Sequence, residues 1–372
     1  MPDAHKVRMI KGPAKVVVKG ACHVLGSDVS WQIVKVRAGK ALPFEPSNRW
    51  CRLHARLGYG ARLWWANPKQ AGTSMWRSLA EQISALAAGK KTTTVMLVGD
   101  TDTGKSTLAI YLANMAIRSG LVPSVIDGDI GQGDLAPPTA IGAAFLSKQV
   151  VDLRDVNTTS QLEFVGSISP IGFEGIIAKK LTSILDRTRS SLANISIVNT
   201  DGYVRNGGVL YKAMIAEELQ PDAVICLGEN MELFDRWQHK VPSWQILRAR
   251  PSSQTYKSRL ERLNRRLDQF FRYIGNGSSI AKLSQVKFDY MNKLFSPSDL
   301  FQPPIKQLEP ENMTGMFVGL GSNGNVIGFG VIINVNPCNS IIHIQTNINS
   351  FDTIYLSNVR LSSDRIMEMR LT

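Results

Sequence analysis

A glycine-rich segment, GDTDTGKST at residues 99–107, constrains the fold of this chain more than any other feature. It follows the apolar run TTTVMLV and precedes a stretch from Lys105 to Ser119 that has the spacing of a helix. The segment matches GxxxxGK[ST], which indicates a phosphate-binding loop when a strand precedes it and a helix follows it. The alternative, a chance glycine-rich turn, requires neither flanking element. The segment therefore predicts a βα unit of an α/β protein with a parallel sheet.

The chemistry expected at this loop is the binding of ATP and Mg²⁺. Glycine at two positions permits a tight turn whose N–H groups face phosphate oxygens, and the following helix points its positive end at the same anion. We expect Lys105 to contact the β- and γ-phosphates, the Ser106 hydroxyl to bind Mg²⁺, and Thr107 to assist at the α-phosphate. The residues expected to bind the nucleotide are Gly99, Asp100, Thr101, Asp102, Thr103, Gly104, Lys105, Ser106 and Thr107.

Two acidic residues follow the next apolar strand, in SVIDGDIGQGDLAPPT at 124–139. Asp127 and Asp129 are expected at the carboxyl end of that strand, where open α/β sheets bind their ligands. A carboxylate there can accept a proton from an attacking hydroxyl or hold Mg²⁺, and we assign these roles to Asp129, with Asp127 as the second choice. Gln132 is a weaker candidate for orienting the incoming group. A turn built from Asp and Gly is the alternative.

A third strand ends in VNTDGYV, residues 198–204. At the same edge of the sheet, Thr200 and Gly202 would place a hydroxyl and open backbone beside the phosphates, and Tyr203 offers a ring on which a base can stack. Taken alone, this segment is better explained as an ordinary exit from a strand into a turn.

The segment YKSRLERLNRRLDQFFRYI, residues 256–274, predicts a basic amphipathic helix. Arg259, Arg262 and Arg266 form a stripe beside its apolar face, and such a stripe offers guanidinium groups to phosphate. Two interpretations stay open, a mobile lid over the transferring phosphoryl group and a solvated basic surface.

The pattern of elements changes twice along the chain. Short β-rich runs dominate up to about residue 75, strands then alternate with helices, and strands and turns return from about residue 285. We predict a β-rich N-terminal domain at 1–74, a central P-loop domain with a mostly parallel sheet at 75–282 that includes the basic lid helix at about 255–275, and a small β-rich C-terminal domain at 283–372.

The charge balance favours a polyanionic partner. The chain has 43 Lys and Arg residues against 30 Asp and Glu, a net charge of +13. Thirteen of those basic residues and only three acidic residues fall within positions 1–70. This suits nucleic acid, although a basic surface that keeps the protein in solution gives the same count. Four scattered cysteines without a CxxC pair predict neither a disulfide framework nor a zinc site, and no apolar run predicts a membrane span.

Together these segments resemble the P-loop polynucleotide 5′-hydroxyl kinases of RNA processing, the group of the pre-mRNA cleavage-complex kinase and the ribosomal-RNA-processing kinases. The resemblance depends on GDTDTGKS, DGDIGQGDLAPPT, FVGSISPIG, NTDGYV and RPSSQTYKSRLERLNRR, and it continues into both flanks. The DLAPPT form and the short termini look like compact archaeal members. An archaeal member would be cytoplasmic and a eukaryotic one nuclear, and the family implies RNA-processing proteins as potential partners.

The resemblance also implies residue roles. The phosphate-loop lysine and serine of the family fall on Lys105 and Ser106, and the aspartate of its DxGQ motif, the base, falls on Asp129, with Gln132 closing the motif. Its TxGW clasp falls on Thr200, Gly202 and Tyr203, where tyrosine replaces tryptophan. Its lid arginine maps loosely to Arg259, Arg262 or Arg266.

The function expected is transfer of the ATP γ-phosphate to the 5′-hydroxyl end of RNA, with DNA left open as a second acceptor. Two other functions stay open on the sequence alone. One is an ATP-binding switch within an RNA-processing assembly, and the other is an NTPase that couples hydrolysis to partner assembly. The sequence does not distinguish single from double strands, because base-reading residues on loops leave no spacing pattern.

Overall fold

The structure is a computed structural model that describes residues 6–156, 161–228, 245–249, 257–295, 310–362 and 365–369. The chain divides into two compact units. The first comprises Met1–Ile126, Ala144–Thr158 and Leu185–Glu261, and the second comprises Asp127–Ala143, Thr159–Ile184 and Arg262–Thr372. These units are defined by compactness and not by strand content, so they do not test the predicted domain boundaries at 74/75 and 282/283. The three-domain division stays a prediction.

The N-terminal part of the first unit is β-rich, as the sequence predicts. Its strands β1 to β8 are Val7–Lys11, Ala14–Lys19, Cys22–Val24, Ser27–Asp28, Ile33–Val36, Ala41–Pro46, Arg52–Leu57 and Arg62–Ala66. Five of them form a sheet in the order β4-β3-β6-β1-β8, and the other three form a sheet in the order β5-β2-β7. In the second sheet, buried valines alternate with exposed charged residues, because successive side chains of a strand point to opposite faces.

Strands and helices alternate through the middle of the chain, which confirms the α/β class. The strands β9 to β15 are Thr93–Gly99, Pro123–Gly128, Ala140–Phe145, Gln161–Phe164, Ile195–Thr200, Ala223–Leu227 and Gln245–Ala249. The helices α1 to α5 are Thr73–Ala87, Lys105–Arg118, Glu174–Arg189, Gly208–Leu219 and Arg259–Tyr273.

The sheet around the phosphate loop is parallel. Neighbouring strands follow the order β10-β13-β9-β14-β15, and the pairs β13–β9, β9–β14 and β14–β15 are parallel. Strands β10 and β13 begin side by side, since the hydroxyls of Ser124 and Ser196 lie 2.9 Å apart. Every residue of β9 is buried, which is the pattern of a central strand covered on both faces. The carboxyl ends of β13, β9, β14 and β15 therefore share one edge.

Helix α1 packs on helix α2 through its apolar stripe. Trp76, Leu79 and Ile83 recur at helical spacing and are buried. The ring of Trp76 lies 5.7 Å from the ring of Tyr111 on α2. None of the helices in the described ranges combines the length and apolar character needed to cross a membrane.

The second unit contains an antiparallel pair, β11 with β12, and the β-rich C-terminal region. That region has strands β16 to β23 at Ser278–Lys282, Lys287–Tyr290, Lys293–Phe295, Met316–Ser322, Asn325–Asn336, Ile341–Gln345, Thr353–Leu361 and Ile366–Glu368, and a short helix α6 at Pro310–Met313. The strand order is β16-β21-β20-β19-β22-β17-β18, and β23 pairs with β22. Phe270 of α5 is fully buried and meets Phe317 edge to face, with ring centroids 4.7 Å apart. This contact anchors α5 in the core of the unit.

Candidate functional site

The glycines of the phosphate loop hold the conformation for which the motif selects them. Gly104 has a φ of 93°, the left-handed region that favours glycine, and helix α2 begins at the next residue. A side chain at Gly99 would meet the carbonyl oxygen of Leu227 on the neighbouring strand. The loop is therefore closely packed at its start and turns sharply at its end, so that the first N–H groups of α2 are available to an anion.

Lys105 is buried, and its ammonium group points into the loop. Its Nζ donates hydrogen bonds of 2.8 Å to the carbonyl oxygens of Gly99 and Asp100. Thr103 Oγ1 donates to the Asp100 oxygen as well, at 2.8 Å. A phosphate bound here would compete with these carbonyls for the lysine.

Ser106 has a partner that the sequence did not predict. The side-chain amide of Asn199, at the end of β13, donates to Ser106 Oγ at 3.2 Å. Asn199 is almost fully buried, so this amide fixes the position of the hydroxyl. Thr107, the next residue, is half-buried in the first turn of α2.

Two carboxylates of the phosphate loop are paired with basic residues. Asp102 accepts a hydrogen bond of 3.1 Å from the backbone N–H of Lys257, and its carboxylate forms an ion pair of 3.0 Å with the Lys257 Nζ. The backbone φ of Asp102 is 62°. The Asp102 side chain is 3% exposed and that of Lys257 is 17% exposed. Asp100 pairs with Arg205 at 2.8 Å, but this pair is largely exposed. The predicted basic segment therefore contacts the phosphate loop through Lys257, two residues before α5 begins.

The clasp segment, residues 200–203 at the end of β13, lies directly against the phosphate loop. A side chain at Gly202 would come within 2.5 Å of Thr101 Oγ1 and 2.7 Å of the Thr101 nitrogen. Only glycine permits this approach of two backbones. The hydroxyl of Thr200 is buried and donates to the Leu97 carbonyl at 2.8 Å, so it joins the end of β13 to β9.

Tyr203 is held by a buried charge network that the sequence did not indicate. Its backbone N–H donates to Asp201 Oδ1 at 2.8 Å. Asp201 also pairs with the fully buried Lys212 at 2.8 Å and accepts a 2.9 Å hydrogen bond from the Tyr211 hydroxyl. The Tyr203 ring is half-exposed, and its hydroxyl donates to the Asn206 carbonyl at 2.5 Å. The network fixes the backbone on either side of the ring.

The acidic loop, residues 127–134, lies in the second unit and is built around the carboxylates of Asp127 and Asp129. Asp127 is 2% exposed, and its Oδ2 accepts the backbone N–H of Asp134 at 2.6 Å, which closes the loop. Asp129 is half-buried, and its Oδ1 accepts the N–H groups of Gly131 and Gln132 at 3.1 and 2.9 Å. Within the described part of the chain, Oδ2 of Asp129 has no hydrogen-bond partner. Asp127 is thus committed to loop structure, whereas Asp129 retains a free oxygen.

Side chains of α5 donate hydrogen bonds to the carbonyl groups of this acidic loop. Arg265 Nη2 donates to the Gln132 oxygen at 3.0 Å and pairs with Asp134 at 2.8 Å. Arg266 Nε donates to the Gly131 oxygen at 3.0 Å, and Gln269 donates to the Gly133 oxygen at 2.9 Å. The helix therefore holds the loop from residue 131 to residue 134.

These arginines differ in their electrostatics. Burial alone would lower the pKa of Arg265, but Asp134, Asp129 and Asp127 together raise it above its ordinary value. Burial lowers the pKa of Arg266, and the charge of Asp129 only partly opposes this shift. Both side chains stay cationic at neutral pH, because a guanidinium is effectively always protonated in proteins.

The predicted site residues fall into two groups. The phosphate loop, Thr200, Gly202 and Tyr203 come together in the first unit. Asp127, Asp129, Gln132 and Arg266 come together in the second. Arg259 is exposed at the first residue of α5, and Arg262 is half-buried. Sequence reasoning missed Asn199, Lys257 and Arg265, although Lys257 and Arg265 lie within the basic segment it singled out.

The parallel sheet and the strand, loop and helix around Lys105 define a P-loop nucleotide-binding protein. Residues 99–276 match the family model for the mRNA cleavage and polyadenylation factor CLP1 P-loop. A polyribonucleotide 5′-hydroxyl-kinase of Pyrococcus horikoshii is 30% identical over 286 residues, which cover 76% of each chain. One of Methanocaldococcus jannaschii is 25% identical over 332 residues, covering 77% of this chain and 91% of the relative.

The solved structure of Clp1p in complex with Pcf11p (454–563) has the same fold, with a TM-score of 0.73 over 96% of both chains at 12% identity. This chain belongs to the family of the polyribonucleotide 5′-hydroxyl-kinases, which confirms the resemblance seen in its motifs.

Proposed function

We propose that this protein transfers the γ-phosphate of ATP to the 5′-hydroxyl end of RNA. The observation that carries the proposal is the phosphate loop built around Lys105, with the clasp glycine Gly202 packed on Thr101, in a chain of this family. Phosphoryl transfer depends mainly on positioning and on stabilising charge. The phosphate loop is held at Gly99 and Asp102 and by the approach of Gly202 to Thr101, which provides the positioning.

Each residue has a role that its contacts support. Lys105 leaves the carbonyls of Gly99 and Asp100 to bind the β- and γ-phosphates of ATP. Asp129 accepts the proton of the attacking hydroxyl, because its Oδ2 has no hydrogen-bond partner among the described residues and two backbone N–H groups fix its Oδ1. Arg266 is our choice for the lid arginine. Tyr203 offers its half-exposed ring to a base of the RNA.

Ser106 Oγ is the atom of the phosphate loop that is suited to Mg²⁺. It accepts a hydrogen bond from the Asn199 amide and keeps a lone pair for a cation. When bound, Mg²⁺ would neutralise charge on the β- and γ-phosphates. Asn199 would hold the serine hydroxyl in place for it.

The experiment is transfer of label from γ-labelled ATP to a 5′-hydroxyl RNA oligonucleotide, with a matched DNA arm. We expect Lys105→Met and Asp129→Asn each to reduce transfer by at least about 100-fold. Lys148→Met and Asp186→Asn change exposed residues of the same types and serve as controls. Thermal melting shows whether each variant is folded.

The products separate this function from its alternatives. Transfer to RNA that depends on Lys105 supports the kinase. Release of free phosphate at the same rate with and without RNA indicates an NTPase, and bound ATP that stays intact indicates a switch. Near-normal transfer by the Asp129→Asn variant would exclude Asp129 as the base.

A further inference from the structure

One face of the sheet β5-β2-β7 is exposed and carries only basic charge. The register places Lys15 of β2 directly opposite Lys35 of β5 and Arg56 of β7. It also places Lys19 opposite Arg52. All five side chains are exposed, while Val16, Val18, Val34 and Val36 are buried on the other face. The three strands contain no Asp or Glu.

This arrangement works against the stability of the sheet. Like charges directly opposite each other on neighbouring strands repel. Among the residues that the structure describes, no carboxylate forms an ion pair with any of the five. A sheet shaped only for stability and solubility would alternate the signs of its charges, so these positions point to an anionic partner.

Nearby basic residues of the same region behave differently. Lys40 pairs with the buried Asp152 at 2.7 Å, and Arg37 pairs with Asp155 at 2.7 Å. Lys11 pairs with Glu261 at 3.5 Å. The paired residues thus account for part of the N-terminal basic excess, and the unpaired remainder includes the face of one sheet.

Two exposed tryptophans flank this face. Trp31 precedes β5 by two residues and is 75% exposed, and Trp50 precedes β7 by two residues and is 69% exposed. The guanidinium of Arg49 lies 4.8 Å from the centre of the Trp50 ring. Exposed indoles beside unpaired cations have the composition of a single-strand platform, on which bases stack while cations follow the phosphates.

We propose that this basic face, formed by Lys15, Lys19, Lys35, Arg52 and Arg56 with Trp31 and Trp50, binds single-stranded RNA. The choice of RNA over DNA depends on the proposed function, but the binding itself needs no phosphoryl transfer. Its five cations bind the phosphates of the RNA, and its two indole rings stack on the bases. It gives the protein affinity for the body of the RNA in addition to its 5′ end.

The test is fluorescence anisotropy with a labelled 5′-phosphorylated RNA of about 20 nucleotides, without ATP, over a range of salt concentrations. We expect the Lys15→Glu/Lys19→Glu protein to bind this RNA at least about tenfold more weakly. The magnitude of the slope of log K against log salt should fall by about 1.4, because two phosphate contacts are lost and each contributes about 0.7 on a single strand. Trp31→Ala and Trp50→Ala should each weaken binding roughly fivefold with little change in slope. Lys91→Glu/Lys148→Glu alters charge equally at exposed sites elsewhere and should bind as wild type does.

Folding does not confound this test, because glutamate at 15 and 19 would face cations and replace repulsion with attraction. The melting temperature should therefore hold or rise. Lys15→Gln/Lys19→Gln, which adds no negative charge, should lose the same salt slope. The proposal would be overturned if the Glu and Gln double variants at 15 and 19 both kept wild-type RNA affinity and salt slope. It would also be overturned if the protein bound the matching DNA more tightly than the RNA, or bound an acidic peptide in place of RNA. A protein that transfers no phosphate but loses RNA binding in these variants would uphold it and refute the kinase function alone.

Discussion

Replacing Gly202 with alanine tests whether the clasp segment sets the shape of the phosphate loop. The backbone at Gly202 does not require glycine, because its φ lies outside the left-handed region, so the whole effect of a new methyl group comes from what it touches. That methyl would lie 2.5 Å from Thr101 Oγ1, 2.7 Å from the Thr101 nitrogen and 2.9 Å from its Cα. Two of these are backbone atoms, which a rotamer change cannot move.

The magnitude follows from the overlap. The distance to the Thr101 nitrogen is about 0.7 Å shorter than ordinary van der Waals contact, which begins near 3.4 Å. Overpacking of this kind costs about 1–3 kcal/mol. If the loop shifts to relieve it, the cost falls on the conformation that binds phosphate, and ATP affinity should drop roughly 5- to 150-fold. If the clasp shifts instead, unfolding should become easier by the same energy while ATP affinity changes little.

The assay is calorimetric titration with ATP and Mg²⁺ alongside thermal melting. Gly175→Ala is the matched control, because a side chain there meets nothing within 4 Å. It lies in helix α3, where alanine should raise stability by up to about 1 kcal/mol. A Gly202→Ala protein with wild-type ATP affinity and wild-type melting would refute the close approach to Thr101.

Two further predictions concern residues that support the phosphate loop. Asn199→Ala should leave Ser106 without its donor, so phosphoryl transfer should need a higher Mg²⁺ concentration for half-maximal rate, and a Mg²⁺ titration that matches wild type would contradict this role. Lys257→Met should weaken ATP binding severalfold, because the Asp102 carboxylate would then lose its ion pair with Lys257 next to the triphosphate. The double variant Lys257→Met/Asp102→Asn should recover most of that loss, and failure to recover would assign the effect to something other than charge.

The sequence predicted those parts of the site that are contiguous along the chain. The phosphate loop could be found because strand, glycines, lysine and helix follow one another directly along the chain, within residues 93–118. Asn199 and Lys257 could not, because they reach Ser106 and Asp102 across 93 and 155 positions, and such contacts leave no spacing pattern. Helical spacing selected the stripe that contains Arg266 but passed over Arg265, whose partner Asp134 is set by the tertiary fold. The antiparallel pairing of β11 with β12 was missed for the same reason.

The phosphate loop presents an apparent conflict, since it carries two carboxylates where a polyanion should bind. Their pairing resolves it. Asp100 and Asp102 are matched by Arg205 and Lys257, which leaves the charge of Lys105 and the positive end of α2 to face the phosphates. The two pairs are unequal, because an exposed ion pair such as Asp100–Arg205 contributes little and is screened by salt. The pair between Asp102 and Lys257 is mostly buried and less screened, so it contributes more to making an acidic loop fit to hold a nucleotide.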